Sequence, residues 1–68
     1  MKLKNVKVGQ FVKVKSTADS FSHKYVGSYG TVIQVEDSTY DGYLTVKVRF
    51  PDDDIDWGNH EDIKPIKV

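Results

Sequence analysis

Residues 51–62, PDDDIDWGNHED, gather six acids, one Trp and one His into twelve positions. Acids at that density can hold a metal, share a proton, or present negative charge to a partner. A calcium loop of the EF-hand type needs oxygen ligands at positions 1, 3 and 5, glycine at 6 and a bidentate glutamate at 12. Asp52, Asp54 and Asp56 meet the first three requirements, but Trp57 stands where the glycine belongs and Ile63 where the glutamate belongs. A transition-metal site draws on clustered His and Cys. This chain has only His23 and His60, well apart, and no Cys. Asp54 and Asp56 would share one face of a strand, yet acid–base catalysis also needs a pocket that shifts a pKa. A chain of 68 residues has only a thin core in which to form one. Ser16, Ser20, Ser22, Ser28 and Ser38 sit in no nucleophile elbow, and the glycines form no phosphate-cradling loop ahead of a helix. No catalytic residue, metal ligand or cofactor site is therefore expected, and the chain reads as a non-enzyme. Two readings of the acidic stretch remain, a solvated turn or an acidic recognition patch. Trp57 separates them: it either caps the core or stands among the carboxylates as an anchor for a basic partner.

A second group lies upstream. Phe21, Tyr25 and Tyr29 flank His23 and Lys24 in STADSFSHKYVGSY. Aromatics interleaved with lysine can stack the bases of a single strand; alternatively, Phe21 or Tyr25 folds back as a plug over the core. Both stretches read as loops, where binding residues concentrate. The expected functional surface combines Phe21, His23, Lys24, Tyr25 and Tyr29 with Asp52, Asp53, Asp54, Asp56 and Trp57.

The elements that must position these residues repeat with period two, as half-buried antiparallel strands do. QFVKVKS puts Val12 and Val14 on one face and Lys13 and Lys15 on the other; YLTVKVRF alternates Leu44, Val46, Val48 and Phe50 with Thr45, Lys47 and Arg49. YGTVIQVE breaks alternation at Val32 and Ile33, which predicts a bulge or a sharp bend. DIDW and IKPIKV supply two short strands, the latter at an edge or with a bulge because Pro65 cannot donate to a ladder. Turn signals separate the runs: Gly9 before the first strand, Asp41-Gly42 in a hairpin connection, and Pro51 after the third strand. NHED can close a single 3₁₀ turn before the last strand. These features predict an all-β fold, a small closed five-stranded barrel with a long first loop and strand three at its centre.

The bulk composition fits one soluble domain: 29% charged, 38% hydrophobic, formal net charge zero. The lack of cysteine suits a reducing, cytoplasmic setting. The basic start MKLKNVKVGQFVKVK reaches no apolar stretch of secretory-signal type, and no run approaches the ~20 apolar residues of a membrane helix. Neutrality hides an asymmetry. Residues 1–30 carry six lysines against Asp19 alone, while residues 31–68 carry four cations against nine acids. The halves either pair within the fold or form a dipolar surface.

VGQFVKVK followed by GSYGTVIQVE resembles the KOW type of SH3-like barrel, with Gly9, Val12, Val14, Gly27, Gly30, Val32 and Val35 at the motif positions. Gly30 is expected at a bend or at positive φ. VKVKS, YVGSYGTVIQVED and YLTVKVRF also resemble the photosystem I subunit IV family, another SH3-like barrel, over roughly residues 11–50. PDDDIDWGNHEDIKPI departs from that family, so the resemblance implies a fold and no function. Three functions stay open. The first is an SH3-like module docking, as a monomer, on a protein partner. The second is a KOW-like nucleic-acid binder using Lys13, Lys15, Lys24, Lys47 and Arg49, against which the near-neutral pI of 6.7 weighs. The third is a small inhibitor, as some phages encode, that shows its acidic face to a nucleic-acid enzyme.

Overall fold

The computed structural model describes residues 5–36 and 45–66. Five antiparallel strands form one sheet: β1 (Phe11–Val14), β2 (Tyr29–Val35), β3 (Val46–Arg49), β4 (Ile55–Gly58) and β5 (Ile63–Pro65), in the order β4-β3-β2-β1-β5. Two 3₁₀ turns, His23–Tyr25 and His60–Asp62, interrupt the connections. The fold is all-β, and no helix is long and apolar enough to cross a membrane among the described residues. The expected Asp41-Gly42 hairpin, Tyr40, Tyr43 and Leu44 lie outside those residues.

Alternation decides which side chains enter the core. Val12, Val14, Val32, Val46, Val48 and Ile63 are fully buried, joined by Phe50, Phe21, Tyr25 and Val6. Each buried Val or Ile contributes about 1.5–3 kcal/mol. The predicted bulge is present. Val32 pairs with Val48, Gln34 with Lys47 and Val35 with Val46, which leaves Ile33 as the extra residue. That insertion lets both Val32 and Val35 face the core.

Two expectations are corrected. The middle strand is β2, not β3: its bulged seven residues pair on both sides, with β1 and with β3. The barrel is also not closed by hydrogen bonds, since no ladder joins β4 to β5 among the described strands. The chain bridges that gap instead. A flat five-stranded sheet would separate its edges by about 19 Å. Only Asn59 and the turn His60–Asp62 link β4 to β5, and a 3₁₀ turn rises only about 2 Å per residue, so the sheet must curl. Asn59 caps this turn by accepting from the Glu61 N–H (2.9 Å), and the Lys15 N–H donates to the Asp62 carbonyl (2.8 Å), tying the turn to β1. Pro65 lies on β5, an edge strand as predicted.

The positive-φ expectation for Gly30 is also corrected. Gly30 carries no positive φ; that conformation falls at Gly9 and Gly27. Gly30 is glycine because a Cβ there would lie 2.5 Å from Val48 Cγ1 and 2.9 Å from the Arg49 carbonyl oxygen. The requirement is close packing of adjacent strands.

Candidate functional site

PDDD forms a tight hairpin between β3 and β4. The Asp53 N–H donates to the Phe50 carbonyl and the Phe50 N–H to the Asp54 carbonyl, both at 2.9 Å. Pro51 presets the first turn residue, and Asp53 follows at φ 66, the left-handed position where glycine is usual. Asp52 Oδ1 accepts from the Asp54 N–H at 3.0 Å, so one carboxylate braces its own turn.

The other acids hold the first loop. The Tyr25 hydroxyl donates to Asp54 Oδ2, with Asp52 Oδ2 3.2 Å from the same hydroxyl. Lys24 Nζ lies 3.0 Å from Asp54 Oδ2 and 4.9 Å from the Tyr25 ring centroid. Asp56 Oδ2 accepts from the Ser22 N–H at 2.7 Å. Asp62 Oδ2 accepts from the N–H and the hydroxyl of Ser20, whose Oγ in turn accepts from the Asn59 N–H at 2.8 Å. Beneath these bonds the Tyr25 ring stacks on Phe50 at 3.8 Å, and Phe21 meets Phe50 edge-on at 6.3 Å. Phe21 also fills the space a Cβ on Gly58 would need.

The electrostatics follow from these contacts. The Tyr25 hydroxyl, the Lys24 ammonium and the Ile55 N–H lower the Asp54 pKa to about 2. Desolvation first, and then the bond to Asp54, push the Tyr25 phenol up to about 12. Lys24 is raised, chiefly by its bond to Asp54. A cavity of about 340 Å³ opens beside this cluster, lined by Lys24, Tyr25, Ser28, Phe50, Pro51 and Asp52. Its charges are of both signs: Lys24 is paired with Asp54, and Asp52 accepts from the Tyr25 hydroxyl and the Asp54 N–H.

The ten residues singled out from the sequence thus divide. Phe21 and Tyr25 are plugs, each 5% exposed. Lys24, Asp52, Asp54 and Asp56 join with them into a clamp between the first loop and the acidic turn. His23 and Asp53 are exposed near it. Tyr29 and Trp57 belong elsewhere, on the outer face of the sheet.

That face is built by the alternation that buries the valines. Phe11 and Lys13 from β1, Tyr29 and Thr31 from β2, Lys47 and Arg49 from β3, Ile55 and Trp57 from β4 and Lys64 from β5 all point away from the core side. Cross-strand register places Phe11 opposite Thr31, Thr31 opposite Arg49 and Arg49 opposite Ile55. Phe11 and Tyr29 stack nearly parallel at 6.0 Å, with Lys13 Nζ 5.4 Å from the Tyr29 centroid. Lys47 Nζ sits 5.1 Å from the centroid of Trp57, its register partner. No acid lies on this face among the described strand residues; Asp56, the one strand acid, turns to Ser22. Sequence reasoning groups Lys13, Lys15, Lys24, Lys47 and Arg49; of these Lys13, Lys47 and Arg49 lie on this face, Lys15 follows the end of β1 and Lys24 joins the clamp, while Phe11 and Lys64 are missed. Phe11 is within reach of the same reasoning, since it alternates with Val12 and Val14 on the lysine face. Comparison with protein-family models, curated proteins and solved structures finds no match for the chain.

Proposed function

We propose that this chain is a non-enzymatic binding module that lays a single-stranded nucleic acid across the outer face of its sheet. One observation carries the reading: Phe11, Tyr29 and Trp57 share that face with Lys13, Lys47, Arg49 and Lys64, and with no carboxylate among the described strand residues; Glu36, just past the end of β2, is taken up by a bond from Gln34. Exposed aromatics stack unpaired bases, and the surrounding cations track the backbone. The neutral pI that weighs against nucleic acid is offset locally, because the acids of the clamp face the first loop. In this reading the fold is a KOW-type SH3-like barrel, supported by the strand order, the long first loop and the bulge between Val32 and Val35. The chain acts as a cytoplasmic monomer without cofactor. The acidic-inhibitor reading has less support, since Asp52, Asp54 and Asp56 accept bonds from the chain's own loop and turn.

Trp57 supplies the assay. It is the only tryptophan and stands half-buried on the proposed face. An oligothymidylate of about 12 nucleotides, within the site sizes of small single-strand folds, should quench its fluorescence at low salt. With three or four phosphates neutralised, log K should fall with log salt at a slope of about −2 to −3. A duplex of equal length should bind more weakly, because its bases are already stacked. No quenching and no binding at low salt sinks the reading. Docking on a protein partner is favoured by a different observation: Val8 and Ile55 are 66% and 46% exposed and offer a nucleic acid little. That alternative predicts binding insensitive to the oligonucleotide.

A further inference from the structure

A second cavity, of about 330 Å³, opens where β1 meets β5. It is lined by Lys13, Lys15, Lys64, Ser16, Thr17 and Gly27. Three lysines and two hydroxyl residues surround it, and none of the six is acidic. The register sharpens the point. Lys13 and Lys64 are direct partners across the β1–β5 ladder, an arrangement of like charges that costs stability. Lys15 follows two residues on, just past the end of β1, and lines the same cavity. The one ion pair among the described residues is Lys24–Asp54, so none of these three lysines is matched within the described fold. Lys13 also lies over the Tyr29 ring, which joins the cavity to the Phe11–Tyr29 stack.

We propose that this cavity holds a phosphate group of the bound strand, while the Phe11–Tyr29 pair stacks the adjoining base. A phosphate between Lys13, Lys15 and Lys64 turns their mutual repulsion into shared attraction, and the Ser16 and Thr17 hydroxyls can donate to its oxygens. The neighbouring stack then fixes the polarity with which the strand enters the sheet face. The inference deepens the nucleic-acid reading and rests on it, but the cavity can be tested separately.

The experiment has two arms on the intact chain. In the first, Lys15→Gln, Lys64→Gln and Lys7→Gln are titrated with the oligothymidylate over about 50–200 mM salt. Lys7→Gln removes one charge outside the cavity. Lys15→Gln and Lys64→Gln should each weaken binding several-fold and flatten the salt slope by about 0.7, the loss of one phosphate contact; Lys7→Gln should leave the slope unchanged. In the second arm, inorganic phosphate is titrated while backbone amide resonances are followed. Shifts should concentrate at Lys15, Ser16, Thr17 and Gly27. Lys64 belongs to the sheet face as well, so Lys15 decides: oligonucleotide binding that is indifferent to Lys15 overturns the cavity inference and leaves the sheet-face reading intact. Phosphate shifts without oligonucleotide binding overturn the strand source and assign the cavity to a free phosphate. No response in either arm overturns both.

Discussion

The Asp54 carboxylate meets a phenol, an ammonium and a backbone N–H at once. Its pH signature follows from the lowered pKa. A carboxylate whose folded pKa is depressed from 3.8 to about 2 adds stability above its unfolded value, and loses it as pH falls through that window. Thermal melts from about pH 6 to about pH 2 should show wild type falling more steeply than Asp54→Asn once the pH drops below the ordinary carboxylate range. Equal slopes would mean that the Tyr25–Asp54–Lys24 cluster does not persist in solution. Tyr25 gives the converse. Its phenol is raised from 10.0 to about 12, so its contribution is full below its unfolded value and fades as pH rises through the folded one. Tyr25→Phe keeps the stack on Phe50 but should lose that alkaline fall. Asp53 tests the turn itself. An L-residue at φ 66 bears a steric cost that glycine does not. Asp53→Gly should therefore raise stability by up to about 1 kcal/mol, read as a shift in urea midpoint.

The β-elements were largely legible because their signal is local. Alternation located five strands, the broken alternation at Ile33 marked the bulge, Pro65 marked an edge, and NHED marked a 3₁₀ turn. Pairing was less legible, because it depends on which strand can be flanked on both sides. Strand three has the longer apolar face in sequence, yet the bulge gives β2 the greater reach and the central place. Gly30 shows the same limit: the residue type announced a constraint, but only the neighbouring strand says which one. Gly30→Ala should destabilise by about 1–3 kcal/mol through overpacking against Val48 and the Arg49 carbonyl. A neutral result in a denaturant titration would mean that β2 and β3 stand farther apart than described. The candidate site divides along the same line. The first loop and the acidic turn were expected together and do meet, but Phe21 and Tyr25 turn inward while Tyr29 and Trp57 lie on the outer face. Nothing in the spacing of Phe21 and Tyr25 distinguishes a plug from a platform, since burial of a loop aromatic depends on where the loop folds.

At the scale of the whole molecule, the zero net charge is resolved into two arrangements with different consequences. On one side, acids from the second half accept hydrogen bonds from the first loop and hold it down. On the other, Lys13, Lys15, Lys47, Arg49 and Lys64 gather with no ion-pair partner among the described residues. The first arrangement serves folding; the second works against it, since like charges face each other at Lys13 and Lys64. A surface shaped only for stability would place an acid there. Lys64→Glu makes that exchange and should set the two demands against each other. A carboxylate opposite Lys13 replaces repulsion with attraction, so the variant should be more stable than wild type by about 0.2–1 kcal/mol at low salt. The gain should shrink as salt screens the pair. The same substitution puts a negative charge in the cavity proposed to hold phosphate, so oligothymidylate binding should weaken by more than it does in Lys64→Gln. Urea melts and Trp57 quenching on one preparation read both effects. Higher stability with unchanged binding would remove the cavity from the nucleic-acid path. Lower stability would mean that Lys64 already has a favourable partner and that the repulsion inferred from the register is absent.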